Sequence, residues 1–293
     1  MSTGLDVLSV SPKHFAWLLG RFILRRAGPD RELATLVQQK FTENPRDLVR
    51  LRDGSVVHID PQDRSFLSPN IAILRHYESA TTQLIRYLAH SRATVVDVGG
   101  NVGWFTLVAA KSVGVGGRVV TLEPEPRAFR LLSQTVAENG LKNVHLVNAG
   151  AWDRKTTLRL RLSPDTNRGS HSLVREMSGN GVDIQCVRLD ELLPTLGVDV
   201  VEVMKIDVEG AEPNVLEGCL GLIAKGAIRN IVLEWNPEGW ESRRPLLARL
   251  EREYDFFPFE PSVPFRRLTG GAPSWRSGVP LSYLYLRQRG LAD

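Results

Sequence analysis

Three groups of residues in this chain have the types and spacing to do chemistry. The first is Asp97-Val98-Gly99-Gly100-Asn101-Val102-Gly103, an acid at the end of an apolar run followed by closely spaced glycines. Absent side chains let a ligand approach the backbone N–H groups that open a helix. Alone, such a turn also serves ordinary packing of a strand on a helix. Its D-x-G-G-N-x-G spacing departs from the G-x-G-x-x-G of a dinucleotide site, whose second glycine admits a pyrophosphate. A carboxylate facing the turn repels a diphosphate and attracts a cation. A ligand with ammonium, sulfonium and ribose suits it, and S-adenosylmethionine carries all three.

The second group is Glu123 in TLEPEP, about twenty residues on, where an acid can accept hydrogen bonds from both ribose hydroxyls of an adenosine. NAGAWDR then offers Ala151 and Trp152 near the expected place of the adenine, although Trp152 can equally fill core. The third is KIDVEGAE, with Lys205, Asp207 and Glu209 around the end of an apolar strand, and Glu234 at the end of the next. Ligands of an open parallel sheet bind beyond the strand carboxyl ends, so charges there are placed for reaction. A lysine in an apolar run needs a partner, which Asp207, Glu209 or Glu234 can supply. Glu212 suits the start of a helix, where acids complement the dipole. His171 lies in SPDTNRGSHS, a loop that faces either substrate or solvent.

Alternation of apolar strands and helices from Thr94 onward is what must position these groups. Strands are expected at Thr94–Val98, Arg118–Leu122, Val144–Asn148, Val200–Ile206 and Asn230–Glu234, with helices at Gly103–Ser112, Pro126–Asn139 and Ala211–Cys219. Continuous apolar strands separated by helices imply an α/β fold with a mostly parallel sheet covered on both faces. An insertion at about 156–188, with alternating TTLRLRL and VDIQCVRL, sits where it can face substrate. YDFFPF and LSYLYLR, around a Gly/Pro-rich Thr269–Pro280, supply closing strands. Residues 1–75 read as an extension: helices at Pro12–Arg26 and Arg31–Phe41, and a hairpin turning at Asp53-Gly54. A helix at Asn70–His90 leads into the main domain, 76–293.

VVDVGGNVGWFTLVAA, TLEPEPRAFRLLSQTVAENG, LDEL, KIDVEGAEPNVLEG and IVLEWNP resemble, in that order, the FkbM-type S-adenosylmethionine-dependent methyltransferases. The likeness covers about Tyr77 to Pro237, and KIDVEGAE is its most specific piece. Gly100 stands where that family usually carries alanine. The resemblance implies a class I methyltransferase (Rossmann-like) fold and O-methylation of a small molecule such as a sugar, glycolipid or natural-product scaffold. It implies that Asp97, Gly99, Asn101 and Gly103 line the methionine part of the cofactor, with Gly100, Trp104 and Phe105 beside them. Glu123 and Pro124 fall to the ribose, and Tyr77-Glu78 close over the cofactor. Glu78 can also be a solvated helix residue.

A hydroxyl acceptor must lose a proton, so a carboxylate or histidine in reach helps. Asp207 or Glu209 comes first as base, then Glu234 and His171. Mg²⁺ held by Asp207 and Glu234 with Asn236 nearby ranks below direct base catalysis.

The length suits one large α/β domain with additions or two modest domains. Hydrophobic residues, 42% of the chain, support a core, and a net charge of +4 is too small to imply a nucleic-acid partner without a clustered basic patch. The apolar runs fall short of a membrane span, although HFAWLLGRFIL (14–24) suits a membrane surface, its own domain or a homodimer contact. Cys186 and Cys219 lack metal or redox spacing, which suits a reducing, cytoplasmic setting. A nucleic-acid methyltransferase, favoured by the basic pI, lacks the N/D-P-P-Y/F motif after the fourth strand. A non-catalytic Rossmann-like protein conflicts with the intact glycines and acids, and an NAD-dependent oxidoreductase with the glycine spacing.

Overall fold

The computed structural model describes residues 31–63, 66–163, 171–174, 181–235, 237–259 and 283–291. The helix expected at Pro12–Arg26, Asn236, most of the SPDTNRGSHS loop and Thr269–Pro280 lie outside them. In chain order the elements are α1 (Arg31–Glu43), β1 (Leu48–Arg50), β2 (Val56–His58), α2 (Leu67–Leu74), α3 (Ser79–Leu88), β3 (Thr94–Val98), α4 (Trp104–Val113), β4 (Arg118–Leu122), α5 (Pro126–Glu138) and β5 (Val144–Val147). Then follow β6 (Gly150–Ala151), β7 (Thr156–Arg161), β8 (Gly181–Val187), α6 (Leu189–Thr195), β9 (Val201–Ile206), α7 (Glu212–Glu217), α8 (Leu220–Ala224) and β10 (Ile228–Glu234). The chain closes with α9 (Pro237–Trp240), α10 (Arg244–Glu253), β11 (Tyr254–Phe259) and β12 (Tyr283–Gln288).

Seven strands form the main sheet in the order β11-β12-β10-β9-β3-β4-β5. All neighbours from β10 to β5 are parallel, and β12 runs antiparallel between β10 and β11. This is the expected class I methyltransferase architecture. Period-two alternation sends Val96, Val98, Val120, Leu122, Met204, Ile206, Ile231 and Leu233 into one core, against α6, α7 and α10. Val95, Val119, Val203, Val232 and Tyr285 enter the opposite core, under α3 and α4. Asp97, Thr121, Lys205, Glu234 and Tyr283 stand two residues further along those same rows. The polar positions of the site therefore share one face of the sheet with a large apolar core.

The described part of the N-terminal extension packs into that core. Phe41, Ile59 and Ile71 are fully buried there, each burial contributing roughly 1.5–3 kcal/mol. Asn139 Oδ1 and Thr135 Oγ1 of the α5 region accept from the β2 amides Val56 N and His58 N, at 2.9 and 3.0 Å. The β1–β2 hairpin turns at Gly54 as expected, with φ of 84°. The inserted ribbon also forms: β7 and β8 pair antiparallel, and β8 adds β6 on its other side.

The helix expected at Asn70–His90 is a correction. It divides into α2 and α3, because Arg75 ends the first helix and Glu78 starts the second with left-handed φ values of 58° and 39°. That break carries Tyr77 and Glu78 out of helical register and onto the wall described below. The helix expected at Ala211–Cys219 is likewise shorter, ending at Glu217 before a second short helix. Helices α6 and α10 had no counterpart in the sequence reading. Cys186 and Cys219 are buried and not disulfide-linked. Among the described residues no helix is long and apolar enough to cross a membrane.

Candidate active site

The carboxyl ends of β3, β4, β9 and β10 open into a cavity of about 510 Å³, within the range of small-molecule and cofactor sites. On one side it meets the glycine turn, and on the other the inserted ribbon, through Leu160, His171 and Leu173.

Close packing explains the glycines. Gly99 N and Gly100 N both donate to Leu122 O, at 2.9 and 3.0 Å, pinning the turn across β4. Gly99 has φ of 84°, and a Cβ there would lie 2.0 Å from the Asp207 carbonyl oxygen. Gly103 plays another part. It precedes α4 with φ of 94°, and its space is taken by Leu132 and Thr135 rather than by the cavity.

Glu123 is 7% exposed, and its carboxylate is held by two backbone donors. Asn101 N gives to Oε2 and Glu125 N to Oε1, both at 2.8 Å. Burial pushes this acid up to about 7 despite those bonds. It is a fixed, acceptor-rich group on the cavity wall, suited to hydroxyls.

Asp97 sits deeper than the sequence reading placed it. It is 1% exposed and stands behind the wall rather than on it. Its Oδ2 accepts from Thr106 Oγ1 at 2.7 Å, and its Oδ1 lies 4.0 Å from Lys205 Nζ. The cation beside Asp97 is thus the chain's own lysine. Burial raises Asp97, and Lys205 acts against that rise.

Lys205, 2% exposed, donates to Asp207 Oδ2 at 3.0 Å and lies 4.5 Å from the Phe105 ring centre. Burial alone would lower it. The surrounding Asp207, Asp97 and Glu78 more than offset burial, and Lys205 is raised. The expected partner Asp207 is therefore present, joined by Asp97, which had not been considered.

Asp207, Glu209 and Glu234 bring carboxylate oxygens within 4.8 Å of one another. The sequence showed no dense cluster because these residues end two different strands. A divalent cation is one use of such a set, but the Lys205 ammonium already balances Asp207, so no metal is assigned. Glu212 is buried, and its Oε1 accepts from Val208 N and Gly210 N at 3.1 and 3.2 Å, tying down the turn that carries Glu209. Glu209 itself has φ of 55°.

His171 reaches the cavity wall, where its Nδ1 accepts from Ser163 N at 2.9 Å. In the neutral ring that bond places the proton on Nε2. Tyr77 also reaches the wall and packs edge-on against Phe105. Gly100, Asn101, Trp104, Phe105, Pro124 and Ala151 all line the cavity. Trp152 does not. It is buried with Leu160, Ile184 and Cys186 beneath the ribbon, which is the core role left open for it.

The sequence reading missed Tyr283. Its hydroxyl lies 3.2 Å from Glu78 Oε1 and 3.2 Å from Asp207 Oδ2. The alternation in LSYLYLR signals that Tyr283 and Tyr285 share a face, but the strand's place beside β10 is long-range information.

The whole wall is rich in carboxylates and glycine backbone, a poor seat for a diphosphate and a good one for a cationic adenosine compound. Residues 97–257 match the family model described as the Methyltransferase FkbM domain. The chain belongs to the FkbM methyltransferase family. It is an S-adenosylmethionine-dependent enzyme.

Relatives of this FkbM methyltransferase include Methyltransferase sdnD of Sordaria araneosa, 27% identical over 180 residues, which cover 51% of this chain and 69% of that one. Methyltransferase 1 of Beauveria bassiana (strain ARSEF 2860) is 26% identical over 145 residues, covering 42% and 57%. Among solved structures, Methyltransferase FkbM from Methylobacillus flagellatus KT aligns over 97% of this chain and 63% of its own, at 16% identity and a TM-score of 0.43. An S-adenosylmethionine-dependent O-methyltransferase from Thermotoga maritima aligns over 85% and 80%, at 13% identity and a TM-score of 0.41. Glu78 and Tyr283 of this FkbM methyltransferase both lie outside the matched segment.

Proposed function

We propose that this enzyme transfers a methyl group to a hydroxyl of a small-molecule acceptor, in the class of sugars, glycolipids and natural-product scaffolds. The observation that carries the reading is the convergence of Asp207, Glu209 and Glu234 on one part of the cavity wall. S-adenosylmethionine, when bound, supplies a methyl group already activated by its sulfonium. The chain's own task is alignment and removal of one proton. Alignment of reactants is worth up to ~7–11 kcal/mol in well-oriented systems. The Glu123 carboxylate and the backbone of the glycine turn would fix the nucleoside. Asp207 or Glu209 would take the acceptor's hydroxyl proton, with Lys205 holding Asp207 in place.

Charge argues against a nucleic-acid acceptor. Among the described residues Glu78, Glu123, Glu125, Asp207, Glu209 and Glu234 face the cavity, while the one lysine there is already paired with Asp207. A polyanion is repelled by such a wall. A screen with methyl-labelled cofactor against sugars, glycolipids, polyketide and peptide scaffolds, and RNA tests the reading. Label on an oxygen of a small acceptor supports it, and label only on RNA bases overturns it.

A further inference from the structure

Glu78, Tyr283, Asp207 and Lys205 form a chain of polar groups contributed by three separate parts of the fold, with Lys205 and Tyr283 buried and Glu78 and Asp207 half-buried. Glu78 starts α3 in the left-handed conformation that follows the break after α2. Lys205 and Asp207 come from the end of β9. Tyr283 opens β12, where it is paired with Glu234 and is 4% exposed.

The Tyr283 hydroxyl has one proton and two carboxylates at equal distance, Glu78 Oε1 and Asp207 Oδ2, each at 3.2 Å. It can serve only one of them well at a time. Asp207 Oδ2 also receives the Lys205 ammonium at 3.0 Å. Glu78 has no such ion pair, and its Oε2 is closed off from solvent without a well-formed hydrogen bond. Besides Tyr283, the Tyr77 and Thr81 hydroxyls stand near enough to favour its ionised form. The remaining groups that act on this cluster are Tyr77 from the adjoining turn, Thr81 from α3, Asp97 from β3, Glu209 after β9 and Glu234 from β10. Apart from the Thr81 hydroxyl, all are acids or phenols. Lys205 already faces two carboxyl groups, Asp207 at 3.0 Å and Asp97 at 4.0 Å. An ionised Glu78 would add a further negative charge with no cation of its own.

We propose that Glu78 sets the charge of this cavity: it holds a proton in the free enzyme, Tyr283 links it to Asp207, and binding of cationic S-adenosylmethionine expels that proton to solvent. Tyr283 acts as a positioning residue, since its hydroxyl adds a donor to Glu78 once that carboxyl is ionised. Burial first, and Asp207 second, push Glu78 up to about 7, so the exchange falls within the neutral range. Methyl transfer then leaves S-adenosylhomocysteine, one charge unit poorer, and Glu78 recovers its proton as the product becomes the less favoured occupant.

The inference rests on the cofactor and not on the acceptor proposed above. Its test is calorimetric titration of the full chain at about pH 6, in buffers of different ionisation enthalpy, which counts protons released on binding. S-adenosylhomocysteine keeps the ribose, so it reports any share that belongs to Glu123. S-adenosylmethionine is expected to release roughly 0.5–0.9 more protons than S-adenosylhomocysteine, and Glu78→Gln is expected to abolish the difference. Tyr283→Phe is expected to move the pH of half-maximal release upward, because the ionised carboxylate loses a donor. Equal release by both ligands in the native chain overturns the proposal, as does a difference that survives in Glu78→Gln. An unmoved midpoint in Tyr283→Phe removes that residue from it. No heat in any of the buffers together with no rise in melting temperature from either ligand overturns the cofactor assignment as well, which separates that failure from the others.

Discussion

Replacing Gly99 by alanine should be far more damaging than replacing its neighbour Gly100, and the difference can be worked from the turn itself. At Gly99 a Cβ must adopt φ of 84° and lie 2.0 Å from the Asp207 carbonyl oxygen. A comfortable carbon–oxygen approach is roughly 3.3 Å, so the end of β9 must retreat by roughly 1.3 Å. Left-handed strain costs ~1–2 kcal/mol and overpacking ~1–3 kcal/mol. A central value of about 3 kcal/mol lowers Tm by roughly 6–12 °C. The obstacle is backbone and belongs to a catalytic candidate, so a displacement of that size should also cost turnover about 10²-fold. At Gly100 the obstacle is the Thr121 Cγ2 methyl, at 2.3 Å. Thr121→Ser removes that methyl and keeps the hydroxyl that meets Thr106 Oγ1 at 3.1 Å. Gly100→Ala should therefore be rescued by Thr121→Ser, and Gly99→Ala should not. Thermal melts and calorimetry with S-adenosylhomocysteine on the two glycine variants, each with and without Thr121→Ser, decide it. A Gly99→Ala protein that melts and binds like the native chain would refute the account of the turn.

Glu123→Ala should weaken cofactor binding by ~1.5–3 kcal/mol, the worth of a hydrogen bond to a charged group, read by calorimetry. Asp207→Asn should retain binding while turnover falls by ~10²–10⁴, since Asp97 at 4.0 Å still balances Lys205; unchanged turnover would clear Asp207 of a role. Glu78 is raised from its ordinary 4.5 to about 7, so the folded state holds the extra proton between those values. The stability of that neutral acid is present below about 4.5 and lost as pH rises through 7. Melted without ligand, Glu78→Gln should match the native chain at pH 4 and exceed it at pH 8, and the reverse order would contradict the burial of Glu78.

The parallel sheet was legible because β3, β4, β9 and β10 are continuous apolar runs, and the glycine turn and Glu123 because their spacing is local. The break after α2 was not. Its sequence, LRHYESATT, carries no proline or glycine, and the left-handed residues Arg75 and Glu78 are held by tertiary packing. Asp97 illustrates a different limit. Its position at a strand end is visible, but the Lys205 and Thr106 that claim its carboxylate come from another strand and a helix face. The meeting of Asp207, Glu209 and Glu234 likewise depends on the adjacency of β9 and β10, which pairs Val232 with Lys205. Tyr283 enters through an antiparallel strand whose place in the sheet no local pattern fixes.

A crystal structure of the protein with S-adenosylhomocysteine would decide whether the cavity over β3, β4 and β9 is the cofactor site. The ribose hydroxyls should lie on Glu123, the nucleoside along the glycine turn, and the sulfur toward Glu78, Asp207 and Tyr283. Ligand bound elsewhere, or with its ribose away from Glu123, would contradict the assignment.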